Sequence, residues 1–344
     1  MILALETSCD DTSVSLVRDD GFVAGLISAS QDDSHRPFGG VVPEVASRRH
    51  TENLLPLVEK LLTEAQVGWR DIKAVAVTSR PGLIGSLLVG LVTAKTLSLV
   101  NGIPFIAVNH IEGHLLAALL KDSDYGPPAG FGFPYLGLAV SGGHTHLFHC
   151  ERPGRYHLLG QTVDDAAGEA FDKFGKMMGL GFPGGMQVDR TAVGGNPEAF
   201  RFPRGLIQEN SLNFSFSGLK TAALRELEGL TSEQREAKKH DLCASYQEAI
   251  VDVLVEKLTR AAHQYKLKNW TVTGGVSANS RVRARALEAA QKAGATLALP
   301  PLRYCTDNAA MIGLAGLYKF REGMISPQDL SPSASSLPAD WLKP

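Results

Sequence analysis

A hairpin with a polar tip occurs twice in this sequence. In the first, apolar strands at residues 2–5 and 13–17 flank the turn ETSCDDT. In the second, an apolar strand at residues 135–140 is followed by the turn SGGHT and a further strand through Leu147 and Phe148. Short apolar runs that end at polar or glycine-rich turns are typical of strands, so the repeat predicts an α/β chain with two similar halves.

A second pattern, in which a strand runs through a glycine turn into a helix, also recurs. Residues 74–78 lead into PGLIG at 81–85, and residues 270–273 lead into Gly274-Gly275 and a helix that opens near Asn279. Glycine lets backbone N–H groups approach an anion, and the start of the helix adds its dipole. A single glycine turn more often just ends a strand, but the duplication favours phosphate or nucleoside binding.

The chain is long enough for two lobes. Its 344 residues are 44% hydrophobic, which suffices for two cores of ordinary size. The segment KDSDYGPPAGFGFP at residues 121–134 is rich in glycine and proline and is the best candidate for a boundary. We expect an N-terminal lobe at residues 1–130, a second lobe at 131–307, and a ligand in the cleft between them.

The sequence favours a cytoplasmic protein with no membrane crossing. The opening MILALETSCDD lacks the long apolar stretch of a secretory signal. Residues 83–100 are interrupted by polar side chains, which favours a buried core helix over a membrane span. The cysteines are far apart and form no C-x-x-C pair, so neither a disulfide framework nor a zinc ribbon is indicated; they are Cys9, Cys150, Cys243 and Cys305.

With a net charge of −2, the chain can hold a nucleic acid only through local basic patches or helper proteins. Arginines cluster at three places, which are Arg48 with Arg49, Arg201 with Arg204, and Arg281 with Arg283 and Arg285. Such clusters are more often a solvated surface than an RNA site. They do not by themselves predict RNA binding.

The segment NHIEGHL predicts a helix that presents two histidines on one face. His110 and His114 are four residues apart, so both imidazoles can reach one ion at about 2.0–2.2 Å. Asp307, in YCTDNA, is an attractive third ligand at the end of a strand. The histidine pair can equally be a coincidence, and Asp307 can simply cap the helix that follows. Spacing alone therefore leaves the metal site open.

A metalloprotease of the H-E-x-x-H type is disfavoured by the same segment. In that motif the general-base glutamate directly follows the first histidine, whereas here Ile111 stands there and the glutamate is Glu112. On a helix Glu112 lies about 200° round from His110, so it points away from a shared ion.

The motifs together resemble one family over nearly the whole chain. Nine segments carry the resemblance, in this order: ETSCDDTSVSLV, GGVVPEVASRRH, PGLIGSLLVG, NHIEGHL, VSGGHTHL, DDAAGEAFDKFGKMMGLGFPGG, NFSFSGLKTA, GGVSANSRVR and CTDNAAMIG. The chain is similar to the bacterial tRNA adenosine threonylcarbamoyltransferases, the TsaD group, once described as glycoprotein endopeptidases. Two departures are Arg80, where the family commonly has glycine, and Asp11, where it often has glutamate.

The resemblance implies a two-lobed actin-like ATPase fold, shared with Hsp70 and sugar kinases, with duplicated mixed β-sheets and a central nucleotide cleft. It further implies that a C-terminal segment at about 308–344 joins the N-terminal lobe. It also implies one divalent metal per subunit, iron(II) with zinc as the alternative, held by His110, His114 and Asp307. The implied nucleotide ligand is threonylcarbamoyl-AMP, or ATP or ADP. The residues that the resemblance implies for binding it are Ala139, Val140, Ser141, Gly142, Gly143, Asp172, Gly185, Asp189 and Asn279.

Residue chemistry fits these roles. Loop glycines offer N–H donors to a phosphate, Asp172 and Asp189 suit ribose hydroxyls, and Asn279 can bond near the nucleoside. We expect Asp11, and after it Asp10, to position the adenosine amine or accept its proton. Because that amine is barely basic, activation of the electrophile should matter more than a strong base.

The implied reaction transfers the threonylcarbamoyl group from threonylcarbamoyl-AMP to N6 of the adenosine beside the anticodon, in tRNAs that read codons beginning with A. A target in a loop can be unstacked and presented to a buried site. The implied partners are a separate synthase for the adenylate, a catalytically inactive paralogue as heterodimer partner, and a small P-loop ATPase. The segment around Val41, Val42, Val45 and Leu54 is a candidate partner face, or alternatively packs internally.

Two other functions remain open at this stage. A kinase or ATPase of the same fold would transfer phosphate, but it leaves His110 and His114 unexplained. A non-catalytic nucleotide-binding scaffold would be expected to lack a metal ligand. Residues from Ile325 onward are rich in serine and proline and are either a tail or a partner contact.

Overall fold

The computed structural model describes residues 1–334 and residue 341. The chain divides into two compact units. Unit 1 comprises Met1–Pro127, Arg152–Arg155 and the described residues from Pro300 onward, and unit 2 comprises Pro128–Glu151 and Tyr156–Leu299. Each unit contains one five-stranded mixed sheet.

The strands of unit 1 are β1 (Ile2–Glu6), β2 (Thr12–Val17), β3 (Val23–Ala29), β4 (Ala74–Arg80) and β5 (Phe105–Asn109), and those of unit 2 are β6 (Tyr135–Val140), β7 (Thr145–Arg152), β8 (Arg155–Gln161), β9 (Asn269–Thr273) and β10 (Thr296–Ala298). The helices are α1 (Asp32–His35), α2 (Pro43–Ala65), α3 (Ile84–Asn101), α4 (His110–Leu116), α5 (Ala167–Met177), α6 (Gly184–Ala192), α7 (Ser217–Glu228), α8 (Ser232–Ala237), α9 (Lys239–Tyr265), α10 (Ser280–Ala293) and α11 (Ala309–Arg321).

The two sheets repeat one arrangement. In unit 1 the strand order is β3-β2-β1-β4-β5, with an antiparallel β1/β2 hairpin and parallel β1/β4 and β4/β5 pairs. In unit 2 the order is β10-β9-β6-β7-β8, with an antiparallel β6/β7 hairpin and parallel β6/β9 and β9/β10 pairs. The sequence prediction of an α/β chain with two duplicated halves is confirmed.

Period-two alternation in β1 separates the two faces of the first sheet. Leu3 and Leu5 join a core with α2 and α3, to which Leu54 contributes. The opposite face packs against α11, where a Cβ on Gly313 would lie 3.2 Å from the Cβ of Ala4. Glycine therefore lets this helix approach the sheet closely. Since Leu54 is buried in the core, the internal-packing alternative holds for that residue.

Helix α3 is long and apolar enough to cross a membrane, judged by length and composition alone. The core helix of a soluble protein passes the same test, and α3 packs against β4 and α2 in unit 1. Ser86, Gly90 and Ala94 are on its buried side. The length and composition of α3 are therefore only weak evidence that it crosses a membrane.

The core of unit 2 forms around the long helix α9. Leu136, Leu138 and Val140 of β6 join a buried cluster with many α9 side chains. The ring of Tyr246 on α9 stacks on that of Phe174 on α5, with a centroid distance of 3.9 Å. Helices α6 and α10 also pack against α9, and α5 and α10 contact the turn that follows β9.

The segment after α11 follows unit 1 as far as it is described. The backbone N–H of Ser326 donates to the Phe105 carbonyl, and its hydroxyl accepts from the Ala107 N–H at 2.9 Å. Ser333 N–H donates to the Ser79 carbonyl. The rest of this Ser/Pro-rich stretch, residue 341 excepted, lies outside the described residues.

Candidate metal centre and ligand loops

The two histidines stand where β5 passes into α4. The Asn109 side chain caps this helix by accepting the Ile111 N–H at 2.8 Å, so His110 is its first residue. The rings of His110 and His114 meet edge to face with centroids 4.6 Å apart, and both are buried. The predicted shared face of the two histidines is present in the structure.

Asp307 reaches this pair from the start of α11. Its Oδ1 lies 3.2 Å from Nε2 of both His110 and His114, and one ligand atom from each of the three residues lies within 4.8 Å of the others. The expectation that Asp307 follows a strand is wrong, since it follows a short 3₁₀ turn at Leu302–Tyr304. The cap of α11 is Asn308, which accepts the Met311 N–H at 3.0 Å, so Asp307 is left free of that role.

The donor set fits a divalent cation. Two imidazoles and a carboxylate are the ligands of catalytic zinc and non-haem iron sites. Both ring nitrogens of His114 are buried without a hydrogen-bond partner among the described atoms, although Nε2 lies close to Asp307. Such a nitrogen is costly to bury unless a further partner engages it.

The ionisable groups of the centre shift one another's pKa values. Burial favours a high pKa for Asp307, but the adjacent imidazoles of His110 and His114 outweigh burial and hold its pKa well below the usual range. Burial opposes protonation of His110, yet Asp307 and Glu6 raise its pKa well above the ordinary value. Burial lowers the pKa of His114. The ionised carboxylates of Asp307 and Glu6 thus favour a positive charge at His110, and the same attraction would favour a metal cation.

Asp11 and Asp307 line the same cavity of about 560 Å³ in unit 1. Ser30 and Thr306 also face it. Burial, followed by the charges of Asp307 and Asp10, raises the pKa of Asp11 to about 7. A carboxyl group with such a pKa can exchange a proton near neutrality. Asp10 precedes it in the same β1/β2 turn.

The turn between β6 and β7 is held by close backbone contacts in unit 2. Ser141 N–H donates to the His144 carbonyl at 2.8 Å, and a Cβ on Gly168 at the start of α5 would lie 2.5 Å from the Ser141 carbonyl oxygen. Gly274, with φ of +87°, presses against the Val140 carbonyl. Ala139 and Val140 end β6, and the turn places Gly142 and Gly143 in the open, where their N–H groups are accessible.

The other four predicted ligand residues are grouped around two helix starts in the same unit, those of α6 and α10. Asp172 accepts the Gly185 N–H at 3.1 Å, and burial raises its pKa. Asp189 accepts both the Ser280 N–H at 3.0 Å and the Ser280 hydroxyl at 2.7 Å.

Asn279 caps α10 with its carbonyl oxygen and donates to Gln247 Oε1 at 2.7 Å. The amide of Asn279 is therefore committed within unit 2. Asp189 of α6 contacts the same α10 start through Ser280, whereas Asp172 of α5 contacts the start of α6 through Gly185.

Comparisons with known proteins find relatives that share one name and match nearly the whole chain. The family described as TsaD, tRNA N6-adenosine threonylcarbamoyltransferase, matches residues 23–314. A protein of that name from Bdellovibrio bacteriovorus is 56% identical over 340 residues, which cover 99% of both chains. One from Anaeromyxobacter dehalogenans strain 2CP-C is 50% identical over 331 residues, covering 96% of this chain and 97% of its own.

The chain belongs to the tRNA N6-adenosine threonylcarbamoyltransferase family. Its fold is also similar to that of HypF from T. kodakarensis, with a TM-score of 0.61, 12% identity, and coverage of 96% of this chain and 48% of HypF. That likeness supports the actin-like fold alone.

As a threonylcarbamoyltransferase family member, the chain gives no support to the peptidase alternative. Glu112 lies 3.2 Å from Lys319 on α11 and so points away from the histidines, as the helix geometry predicted. The arginine clusters also have internal partners. Arg281 and Arg285 both pair with Glu248, and Arg204 pairs with Asp252.

Sequence reasoning missed two neighbours of the centre in this family member. Glu6 and Ser8, both buried, contact His110 Nδ1 at 3.0 and 3.2 Å. The signal was available for Glu6, because an ionisable residue that ends an otherwise apolar strand needs a partner when buried. The identity of that partner, 104 residues away, could not be read from the pattern.

Proposed function

We propose that this chain transfers the threonylcarbamoyl group of threonylcarbamoyl-AMP to N6 of the adenosine beside the anticodon, in tRNAs that read codons beginning with A. That the chain is a transferase acting on tRNA follows from its family. The donor and the target position are the proposal. The observation that carries it is the convergence of His110, His114 and Asp307 on one point in a member of this family.

His110, His114 and Asp307 would hold the metal, which we take to be iron(II), with zinc as the alternative. When bound, such a cation supplies a Lewis acid that polarises the carbonyl of the threonylcarbamoyl group. Asp307 offsets part of the added positive charge, and the burial of both histidines keeps bulk water from the ligand nitrogens.

In unit 2, the exposed N–H groups of Gly142 and Gly143 are suited to the phosphate of the adenylate. Asp172 and Asp189, whose contacts above are with backbone and serine, retain oxygen lone pairs for ribose hydroxyls. Asn279, already committed to a cap and to Gln247, is best assigned to holding the start of α10 beside Asp189. ATP or ADP would use the same residues.

The chemical step needs a proton acceptor. N6 of adenosine forms a bond to the carbamoyl carbon, the bond from that carbon to the phosphate oxygen breaks, and AMP leaves with the electron pair. The proton lost from N6 goes to a base. Asp11, with a pKa near 7 and a place in the cavity that Asp307 lines, is the candidate, and Asp10 would position the amine.

We also propose a protein partner on unit 1, an inactive paralogue in a heterodimer, together with a small P-loop ATPase and a separate synthase. The support is an exposed apolar row on α3 formed by Ile84, Leu88 and Val92, with about half of each side chain exposed. Leu55 on the adjoining α2 is likewise half exposed. Contiguous exposed apolar side chains mark protein interaction sites. A cytoplasmic location accords with a tRNA substrate.

Reconstitution tests the proposal. Purified protein, threonylcarbamoyl-AMP, the partner proteins and unmodified tRNA are incubated, and the digested nucleosides are read by mass spectrometry. We expect threonylcarbamoyladenosine at the position beside the anticodon with the wild type and its loss with Asp307→Ala. If no such nucleoside forms while nucleotide still binds, the scaffold alternative replaces the proposal, and phosphate transfer to an acceptor would instead indicate a kinase.

A further inference from the structure

Glu6 is completely buried at the end of β1 and is held by three donors. Its Oε1 accepts the Ser8 N–H at 2.5 Å. Its Oε2 accepts the Thr78 hydroxyl at 2.5 Å and lies 3.0 Å from Nδ1 of His110. A buried carboxylate in such a network has few alternative positions, because each of its donors comes from a fixed strand, turn or helix start.

This arrangement determines which nitrogen of His110 is free. A carboxylate only accepts hydrogen bonds, so Nδ1 must carry the proton that it donates to Glu6. With Nδ1 committed to Glu6, the nitrogen left to face the candidate centre is Nε2, which lies 3.2 Å from Asp307 Oδ1 and whose proton a bound cation would replace. The nitrogen that faces the candidate centre is therefore the one able to bind a cation.

The second histidine has no equivalent support. Among the described atoms, neither Nδ1 nor Nε2 of His114 has a hydrogen-bond partner. A hydrogen bond to the outer nitrogen thus fixes the tautomer of His110, whereas no such bond to Nδ1 of His114 is present among the described atoms. Partners that fix a metal-binding histidine through its outer nitrogen commonly change metal affinity by about 10–100-fold.

We propose that Glu6 is a positioning residue that holds His110 as the Nδ1–H tautomer and so prepares Nε2 to bind the metal. The inference rests on the proposed metal centre and adds Glu6 to it, with Thr78 and Ser8 as the groups that fix Glu6. It predicts that Glu6 acts on metal affinity without touching the metal or the substrate.

Co²⁺ binding to Glu6→Gln, followed by visible absorption, tests this. In either orientation the amide group of glutamine places N–H groups against an existing donor, either the Ser8 N–H or the Thr78 and His110 donors. We expect Co²⁺ to bind about 10–100-fold more weakly than to the wild type. Glu248→Gln, which alters an equally charged, buried residue in unit 2, should leave Co²⁺ affinity unchanged while lowering stability.

The outcomes separate the two claims. Equal Co²⁺ affinity in wild type and Glu6→Gln overturns the role of Glu6 and leaves the metal centre standing, whereas a wild type that binds no Co²⁺ overturns both. If the variant does not fold, nitrogen-15 spectra of the Zn²⁺-loaded wild type decide the matter. A protonated Nδ1 and a metal-bound Nε2 on His110 support the inference, and a metal-bound Nδ1 refutes it.

Discussion

The carboxylate of Asp122 should make the stability of unit 1 depend on pH. It accepts from the Arg303 guanidinium at 2.7 and 2.8 Å and from the Tyr304 hydroxyl. Burial opposes ionisation, but these donors outweigh it and lower the pKa of Asp122 to about 2. Because the folded-state pKa lies below the unfolded one, the stabilisation is complete above about pH 5 and is lost as the pH falls through 4 towards 2.

Asp122→Asn should therefore destabilise unit 1 by about 2 kcal/mol at pH 7 and by much less at pH 3. Urea unfolding of both proteins at the two pH values measures the difference. A gap between wild type and variant that does not change with pH would show that the charge of Asp122 does not matter.

His114 is the sharpest single-residue test of metal binding itself. Removing its imidazole by His114→Ala leaves two of the three candidate ligands. We expect the affinity for the metal to fall by at least about 100-fold. Mass spectrometry of the purified protein should accordingly find the variant largely free of metal. His149→Ala on β7 is the matched control, since that histidine is absent from the cluster, and equal metal loss in both variants would contradict the site.

Two adjacent glycines differ in what the backbone demands of them. Gly274 has φ of +87° and its missing Cβ would overlap the Val140 carbonyl, whereas Gly275 has open space. Gly274→Ala should lower the free energy of unfolding by more than about 2 kcal/mol, and Gly275→Ala should lower it by less than about 1 kcal/mol. Thermal unfolding compares them. Similar losses in both variants would mean that the contact with Val140 is not what requires glycine.

For single residues, the sequence pointed to the candidate metal ligands but not to the residues that hold those ligands in place. His110 and His114 follow from helical spacing, which is a local property. The sequence left open whether Asp307 caps α11, and the structure gives that role to Asn308, because both residue types are good caps and only the backbone geometry separates them. Glu6 pairs with a residue 104 positions away, and no local pattern encodes such a pairing.

Among the elements, helix α3 carries the prediction about partners. Replacing Leu88 and Val92, which are half exposed, with glutamate should weaken binding of the heterodimer partner by at least about 10-fold, because charges would be buried in an apolar interface. Thr93→Glu and Thr96→Glu on the same helix are controls for added charge. Calorimetric titration measures the affinity, and an unchanged value for the Leu88/Val92 variant would remove α3 from the interface.

The elements themselves were predictable where burial is complete. The strand at residues 135–140 matches β6, and the β1/β2 hairpin was placed within one residue at each strand, because these strands carry apolar residues in a continuous or alternating pattern and end at polar turns. Strands β3 and β8 were not anticipated. They lie at the edges of their sheets with partly exposed residues, so their sequences carry a weaker hydrophobic pattern.

For the whole molecule, duplication was the decisive signal. Two hairpins and two glycine turns at matching places predict two similar sheets, and the structure contains them. The path of the C-terminal helix was beyond local reasoning, since α11 (Ala309–Arg321) packs on β1, β2 and β4, all of which end by Arg80. Only the family resemblance pointed to a C-terminal segment joining the first lobe.

The measurement that tests the central claim most directly is tRNA modification by metal-depleted protein. The protein is stripped with a chelator, supplied with threonylcarbamoyl-AMP, partners and tRNA, and assayed before and after Fe²⁺ or Zn²⁺ is added back. Transfer should fall by at least about 100-fold on stripping and return with the metal, while His114→Ala should not recover. Stripped wild type that modifies tRNA at the full rate would contradict a catalytic metal at His110, His114 and Asp307.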